Sequence, residues 1–254
     1  MKRILSILLA LALFAGVFAL TACGGGTETS ESASESASES SSESTYESEV
    51  GLSANVTVTL SLAGTLAFCL ETISVSDRNG DGKLDIDETL YAAHETFFEG
   101  GAAAGYASAE SEYGFGITKL WGDDSGAFGY YVNNAGAMGL GGAVTEGDHV
   151  YAYVYTDTVT WSDVYSYFDQ SEVTASVGGE VTLVLTYAGY DASWMPVTLP
   201  VAGATVTLNG VETAFVTDGE GRVTISFEDA GVYLVSAVCE GMVLVPSVCA
   251  VTVW

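Results

Sequence analysis

The segment His149-Val150-Tyr151-Ala152-Tyr153-Val154-Tyr155 alternates without a break between aromatic and aliphatic side chains. Alternate residues of a β-strand lie on opposite faces of the sheet, so the segment predicts a strand with one aliphatic and one aromatic face. The turn residues Glu146-Gly147-Asp148 directly precede it. The segment therefore indicates a protein built on β-structure.

The aromatic face of this strand admits two interpretations. Flat rings with polar tips can stack against sugar rings, which makes the face a candidate ligand site. An aromatic stripe at strand spacing is more often core, and we expect this one to pack under a helix predicted for residues 87–99. The candidate ligand face consists of His149, Tyr151, Tyr153 and Tyr155.

Two further strands are predicted near the start of the folded region. Residues 56–62 alternate between apolar and polar side chains, with Thr59 and Ser61 on the polar face, which is the pattern of a half-buried strand. Gly64 marks a turn, and residues 66–70 repeat the alternation. The region thus begins with a pair of strands.

The segment Asp77-Arg78-Asn79-Gly80-Asp81-Gly82-Lys83-Leu84-Asp85-Ile86-Asp87-Glu88 fits the pattern D-x-[DN]-x-[DN]-G-x₅-E at every position. In such a loop, alternate side chains turn oxygen atoms toward an ion, a glycine provides the sharp turn, and the last glutamate binds through both oxygens. The loop resembles the calcium loops of EF-hands and dockerins. The predicted Ca²⁺ ligands are Asp77, Asn79, Asp81, the backbone carbonyl of Lys83, Asp85 and Glu88.

This loop departs from both families, because residues 72–76 before it are β-like and only one copy is present. Neither a cohesin-binding dockerin nor a sensor with paired helices is therefore expected. A turn rich in Asp, Asn and Gly that holds no metal is the alternative. We expect a structural Ca²⁺ site with a dissociation constant of about 10⁻⁴ to 10⁻³ M, the range of extracellular modules.

The helix predicted for residues 87–99 has an apolar stripe that includes Leu90 and Phe97, and Gly100-Gly101 ends it. His94 borders this stripe. Because no other His or Cys is near it in sequence, we expect a partly buried structural histidine rather than a metal ligand.

Residues 54–157 resemble the bacterial transcobalamin C-terminal-like domain, a small β-grasp-like module. Tyr130-Tyr131-Val132-Asn133 matches a Tyr-x-Val-Asn strand of that family, and Gly147-Asp148-His149-Val150 matches a Gly-Asp-hydrophobic strand. Phe128-Gly129 replace a tryptophan that often precedes the tyrosines. The resemblance implies a ligand-binding or adhesive module, although cobalamin carriers hold their ligand mainly in a helical barrel that is not encoded here.

Residues 171–254 contain short strands of period two separated by turns, among them the hairpin signal Asn209-Gly210. This pattern predicts a β-sandwich. Residues 201–208, 217–223 and 230–233 are similar to immunoglobulin-like repeats of bacterial surface proteins, which implies a spacer without an active site.

The cysteines leave two alternatives open. Strand parity places Cys239 and Cys249 on the same inward face, so a disulfide between the last two strands is plausible. Buried free thiols are the alternative, and Cys69 has no predicted partner.

The amino-terminal residues predict a lipoprotein signal. Lys2 and Arg3 precede an apolar stretch, and Leu20-Thr21-Ala22-Cys23 resembles the lipobox, whose cysteine is lipidated. Residues 24–50 are rich in Ser and Glu with almost no apolar side chains, which predicts a disordered spacer. We expect the protein at the extracellular face of a bacterial cytoplasmic membrane or at the cell surface, touching the membrane through its lipid only.

The charge balance excludes nucleic acid as a partner, because 33 acidic and only 6 basic residues give a net charge of −27. The chain has two histidines and carries no nucleophile elbow, phosphate loop or Cys/His zinc cluster, so we expect no enzyme. A carboxylate-only glycosidase is the enzymatic alternative.

Together these patterns predict a mainly β chain in four parts. They are a signal peptide (1–22), a lipidated linker (23–50), an α+β, β-grasp-like domain with one inserted helix (51–170) and an immunoglobulin-like β-sandwich (171–254). The predicted function is a lipid-anchored, calcium-binding extracellular surface protein whose first domain binds an unknown glycan, cobalamin-like molecule or protein. A purely structural surface protein is the alternative.

Overall fold

The computed structural model describes residues 51–254. The signal peptide, the lipidated Cys23 and the tether predicted for residues 1–50 lie outside the described residues. Within 51–254, no helix is long and apolar enough to cross a membrane.

The mainly β fold is confirmed for the described part of the chain, which contains 17 strands and two short helices. In chain order they are β1 (Ser53–Leu62), β2 (Thr65–Ser76), α1 (Ile86–Phe97), α2 (Gly101–Gly105), β3 (Ala107–Ser111), β4 (Gly114–Lys119), β5 (Phe128–Val132), β6 (Ala135–Gly136), β7 (His149–Val154), β8 (Val164–Phe168), β9 (Glu172–Ala175), β10 (Glu180–Tyr190), β11 (Pro196–Pro200), β12 (Thr205–Leu208), β13 (Val211–Val216), β14 (Arg222–Ser226), β15 (Gly231–Val238), β16 (Leu244–Val245) and β17 (Cys249–Val253).

The first region contains a five-stranded sheet in the order β2-β1-β7-β5-β6 and a separate antiparallel pair, β3-β4. β1 is antiparallel to β2 and parallel to β7. Parallel strands must be joined by a long crossover connection, and the connection from β1 to β7 includes α1. Leu90 of α1 packs with Val58, Leu60 and Val150 of the sheet in one buried cluster. The predicted α+β module is therefore present, with a second, short helix, α2, that the sequence analysis did not predict.

Helix α1 begins and ends slightly earlier than the predicted range 87–99. Its N-cap is Asp85, whose carboxylate accepts a hydrogen bond from the Glu88 amide at 2.9 Å. Phe97, placed on the apolar stripe by the sequence, is 37% exposed, whereas His94 is completely buried. The stripe therefore ends at His94, one turn before the helix does.

The second region is a β-sandwich of two sheets. One has the order β11-β10-β8-β16, with β14 also paired to β10, and the other has the order β13-β12-β15-β17-β9. Leu183 and Ile225 of the first sheet share one core with Val206, Val235 and Val251 of the second. Apolar residues at alternate positions of both sheets thus face each other, as period-two patterning predicts.

The sequence predicts a boundary between the two regions near residue 170, but β8, which belongs to the second region, lies before that point. β8 pairs only with β10 and β16, both in the second region.

The hairpin predicted at Asn209-Gly210 is present between β12 and β13, and both residues have the positive φ that its turn type needs (51° and 80°).

The structure contradicts the disulfide between Cys239 and Cys249, since both are free thiols, as is Cys69. Strand pairing sets Cys249 opposite Val235, four residues before Cys239. Four residues of strand span about 13 Å, whereas a disulfide needs Cα atoms within about 7 Å. The alternation of side chains puts Cys239 and Cys249 on the same face of the sheet, but the pairing of β15 with β17 leaves the two cysteines far apart along the strands.

Gly129 on β5 lies opposite Tyr153 on β7, and the tyrosine ring occupies the space beside its Cα. An added Cβ would lie within 2.6 Å of three atoms of Tyr153. At Gly136 on β6, the nearest atom to an added Cβ is 3.6 Å away, which is an ordinary contact.

We expect Gly129→Ala to lower the free energy of unfolding by about 1–3 kcal/mol, because the buried ring must move. The matched control Gly136→Ala should have less than half that effect. Urea denaturation of both variants measures this, and equal stabilities would contradict the close packing at Gly129.

Candidate functional site

The acidic loop, residues 77–88, joins β2 to α1 and is folded around its own backbone amides. The Asp77 carboxylate accepts hydrogen bonds from the amides of Gly80 at 2.6 Å and Gly82 at 2.8 Å. Both glycines have positive φ, 75° and 79°. Glycine adopts this conformation without strain, which explains why the loop carries glycine at these two positions.

Glu88 lies in the first turn of α1 and is only 3% exposed. Its Oε1 accepts hydrogen bonds from the amides of Arg78 at 2.5 Å and Asn79 at 3.2 Å. Its Oε2 is buried and has no hydrogen-bond partner among the described residues. A buried carboxylate oxygen that has neither a hydrogen-bond donor nor a cation beside it destabilises the folded protein by several kcal/mol. A cation bound at Oε2 of Glu88 would remove this cost.

The remaining predicted ligands also hold loop amides. Asn79 Oδ1 accepts from the Asp81 amide at 2.8 Å, and Asp81 Oδ1 accepts from the Lys83 amide at 2.9 Å. Asp85 caps α1, and its pKa is raised mainly by burial, with the nearby charges of Glu88, Asp87 and Asp81 adding to the effect.

The six predicted ligands are thus close in one loop, but the carboxylates among them do not converge on one point. Within residues 51–254, no three His, Cys, Asp or Glu side chains converge into a metal cage. A carboxylate has about four lone-pair sites on its two oxygens, and each carboxylate of the loop accepts at most three amide hydrogens, so coordinating capacity remains at each one.

The arginine side chain of the loop pairs with Asp87 and not with Glu88. Arg78 forms an ion pair with Asp87 at 3.4 Å, and its guanidinium lies 3.9 Å from the centre of the Tyr91 ring. Asp87 also accepts a hydrogen bond from the Tyr106 hydroxyl at 2.8 Å. Asp87 therefore has partners, in contrast to Oε2 of Glu88.

The aromatic face of β7 is not a surface. Tyr151 and Tyr153 are each 2% exposed, so these rings offer nothing for a sugar to stack on. The expectation that the face packs under the helix is also wrong, because α1 covers the opposite face, which carries Val150 and Ala152. The sandwich of the second region covers the tyrosines instead.

Four rings form the contact between the two regions, and we call them the tyrosine layer: Tyr131, Tyr151, Tyr153 and Tyr165. The Tyr151 hydroxyl donates to the Pro246 carbonyl at 2.7 Å. The Tyr165 ring stacks on Tyr131 with centroids 3.7 Å apart and an interplanar angle of 7°. Tyr155, the fourth member of the predicted ligand face, lies at the edge of the layer and is half-buried.

His149 also faces this junction and is structural. Its Nε2 lies 2.9 Å from Thr59 Oγ1, which accepts a hydrogen bond from the Leu70 amide at 3.1 Å. Burial lowers the pKa of His149 to about 4. The imidazole is therefore neutral at physiological pH.

His94 is the second neutral histidine. Its Nδ1 donates to the Leu90 carbonyl at 2.6 Å, and its Nε2 accepts from the Trp121 amide at 3.0 Å. Burial lowers its pKa as well. Both ring nitrogens form hydrogen bonds to the backbone, in keeping with the structural role expected for this residue, although the side chain is fully rather than partly buried.

A groove opens where the β5–β6 hairpin of the first region meets the β10–β11 hairpin of the second. Its volume is about 630 Å³, and none of the residues that line it is charged. We call it the aromatic groove; its principal residues are Tyr130, Tyr131, Asn134, Tyr155, Tyr190 and Thr198.

Sequence reasoning missed this groove because its walls come from segments about 60 residues apart, in different regions. The sequence does place two aromatic residues, Tyr190 and Trp194, close together in one segment, and the structure leaves these side chains 64% and 78% exposed. Nothing in the sequence showed which residues face them.

No protein-family model matches the chain, and no curated protein matches it. Similar solved structures include the D0–D1 domain of Intimin, with 13% identity and a TM-score of 0.27 over 79% of this chain and 100% of that one. Two others are the N-terminal four Ig domains of Dscam1 isoform 4.44 (10% identity, TM-score 0.23, 79% of this chain and 44% of that chain) and Sidekick-1 immunoglobulin domains 1–4 (15% identity, TM-score 0.23, 79% and 47%). The chain thus spans less than half of those two structures, and TM-scores this low support no conclusion about its function.

The low pKa of His149 makes stability depend on pH. In the unfolded chain His149 has its ordinary pKa of about 6.5, so it binds a proton more readily there than in the folded protein. The stability that the neutral, buried His149 provides is therefore complete above pH 6.5 and is lost as the pH falls toward 4. Between pH 7.5 and 5.0 we expect a loss of about 2 kcal/mol from this residue. Urea denaturation at both pH values measures it, and His149→Gln should remove that part of the pH dependence. The same pH dependence in the variant and the native protein would contradict the assignment.

Proposed function

We propose that the chain is a lipid-anchored, calcium-binding surface protein that presents a ligand-binding or adhesive module and is not an enzyme. The module is the transcobalamin C-terminal-like first region, and the immunoglobulin-like sandwich is a spacer that also contributes to the binding surface. The main support for calcium binding is the buried, unpartnered Oε2 of Glu88 in a twelve-residue loop that matches all five specified positions of a calcium pattern.

The lipid part is supported by the sequence Leu20-Thr21-Ala22-Cys23 after a charged and apolar leader. Two or more acyl chains on one cysteine give a stable anchor, because each buried CH₂ contributes about 0.8 kcal/mol.

Cys23→Ala should release the protein from the membrane fraction, since it removes the only lipidation site we propose. Cell fractionation with immunoblotting measures the distribution. The matched control is Cys69→Ala, which removes a different cysteine and should leave the protein in the membrane. Retention of Cys23→Ala at the native level would refute the lipid anchor.

The calcium part is also supported by the chemistry of the loop. Its donors are all oxygen atoms of carboxylates, an amide and a backbone carbonyl, the set that Ca²⁺ prefers. The one arginine in the loop is paired with Asp87, so no side-chain cation neutralises Glu88. Asp77, Asn79, Asp81, the Lys83 carbonyl, Asp85 and Glu88 would hold the ion, which would fix the loop to the start of α1.

We expect about 10 mM Ca²⁺ to raise the free energy of unfolding by about 1.4–2.7 kcal/mol, given a dissociation constant of about 10⁻³ to 10⁻⁴ M. Asp81→Asn and Glu88→Gln should each abolish most of this gain. Asp81→Asn keeps an oxygen for the Lys83 amide and so tests the lost charge without the lost turn. Glu112→Gln, in the exposed β3–β4 turn, is the matched control and should respond to Ca²⁺ as the native protein does. Thermal melts with Ca²⁺ and with EDTA measure the shift, and the absence of any Ca²⁺ effect on the native protein would end the proposal.

The second candidate is a purely structural surface protein without a small ligand. Burial of Tyr151 and Tyr153 favours it, because the face first considered for a ligand is closed. The aromatic groove favours the ligand-binding proposal, because it is open, uncharged and of about 630 Å³, within the range of about 300–1,000 Å³ common to ligand sites.

A further inference from the structure

We propose that the aromatic groove binds a neutral oligosaccharide. This inference rests on the ligand-binding part of the proposed function and is independent of the lipid and the calcium ion. It assigns the groove, rather than the buried face of β7, as the place where a ligand binds.

The charge of the groove determines the class of ligand. Residues 51–254 include 26 acidic and four basic side chains, yet no charged residue lines the groove. A ligand with carboxylate, sulfate or phosphate groups would find no cation there and would be repelled by the surrounding surface. A cationic ligand would find no carboxylate. An uncharged ligand matches the groove.

Rings from both regions provide apolar faces for stacking. Tyr130 and Tyr131 come from β5, and Tyr190 comes from the end of β10. The C–H face of a sugar ring can lie on such rings and bury apolar area, while the phenol tip keeps a hydrogen bond. Within residues 51–254, the hydroxyls of Tyr130 and Tyr190 form no hydrogen bond, and both are therefore free to meet sugar hydroxyls.

The groove is already formed without a ligand, because the tyrosine layer supports it. Tyr131 is stacked on the buried Tyr165, whose hydroxyl donates to Asn134 Oδ1 at 2.9 Å. The Tyr153 hydroxyl donates to Tyr155 at 3.2 Å. Burial raises the pKa of Tyr131 to about 12 and also raises that of Tyr130, so both hydroxyls remain protonated donors at neutral pH. Fixed rings lose little conformational entropy on binding.

The β10–β11 hairpin adds a rigid aromatic edge. Asp191 Oδ1 accepts hydrogen bonds from the amides of Ser193 at 2.7 Å and Met195 at 2.9 Å. Trp194 is held between them at a φ of 61°, with its ring centroid 6.2 Å from that of Tyr190. The tip therefore presents two neighbouring exposed rings beside the groove.

A proline-rich peptide is another ligand that binds grooves lined by aromatic residues. Polyproline presents carbonyl acceptors but no backbone donors, whereas tyrosine hydroxyls both donate and accept. Sugar hydroxyls match both roles. The number of hydroxyls in the groove, from Tyr130, Tyr131, Tyr155, Tyr190 and Thr198, favours the oligosaccharide.

The test applies purified full-length protein, in a detergent without a sugar headgroup, to an array of neutral oligosaccharides, acidic oligosaccharides and proline-rich peptides. We expect binding to neutral oligosaccharides only. The best neutral probe is then titrated against the native protein and its variants. Tyr130→Ala and Tyr190→Ala should each weaken binding about tenfold, the loss expected for one stacked ring with its hydrogen bond. Tyr130→Phe should fall between the native protein and Tyr130→Ala.

Tyr113→Ala is the matched control, because Tyr113 is 91% exposed in the β3–β4 turn outside the groove. It should bind as the native protein does. Preference for acidic oligosaccharides or proline-rich peptides would overturn the neutral-sugar assignment while leaving a ligand-binding protein. Equal losses in Tyr113→Ala and the groove variants would overturn the location. Binding to no probe would overturn both the inference and the ligand-binding part of the proposed function, and membrane retention and the Ca²⁺ shift would remain separate results.

Discussion

The hydrogen bond from the Tyr151 hydroxyl to the Pro246 carbonyl, with the tyrosine layer around it, is the contact on which the arrangement of the described chain depends. It attaches the sandwich to the face of the first sheet that α1 does not cover. The centre of that sheet, formed by β1 and β7, is therefore covered on both sides, by a helix and by the second region. The polar side chains of β1 illustrate the result, since Thr59 and Ser61 are 0% and 1% exposed. Each has a partner at the junction, Thr59 in His149 and Ser61 in Tyr151.

The same contact explains why the candidate binding surface lies at the edge of the junction. Once the centre of the tyrosine layer is closed, the rings at its margin remain open to solvent between two hairpins. Tyr131 is part of both the tyrosine layer and the aromatic groove, because its ring stacks on Tyr165 within the layer and also lines the groove. The site is thus composite, and neither region would form it alone. The acidic loop lies at the amino end of α1, on the other side of the first sheet from the tyrosine layer.

Local signals in the sequence predicted the elements well and the contacts between them poorly. Alternation identified β1 and β7, the Asn209-Gly210 turn identified a hairpin, and the acidic pattern identified a loop that opens a helix. These features depend on neighbours a few residues away. The burial of Thr59, the separation of Cys239 from Cys249 and the composition of the groove depend instead on register and on docking between distant segments. Alternation predicts that a strand has two faces, but it does not predict what covers the second face. Polar residues such as Thr59 are buried in this sheet because residues far along the chain provide a hydrogen-bond partner for each hydroxyl.

The order of the strands has a mechanical consequence. The first and last strands of the described chain are both internal: β1 lies between β2 and β7, and β17 lies between β15 and β9. Tension applied along either strand acts perpendicular to its hydrogen bonds, which run across the sheet. The bonds on both sides must then yield together in shear, whereas an edge strand can peel away one bond at a time. Resistance to pulling is governed by the rate of unfolding rather than by equilibrium stability, and this topology provides high resistance at both ends of the described chain.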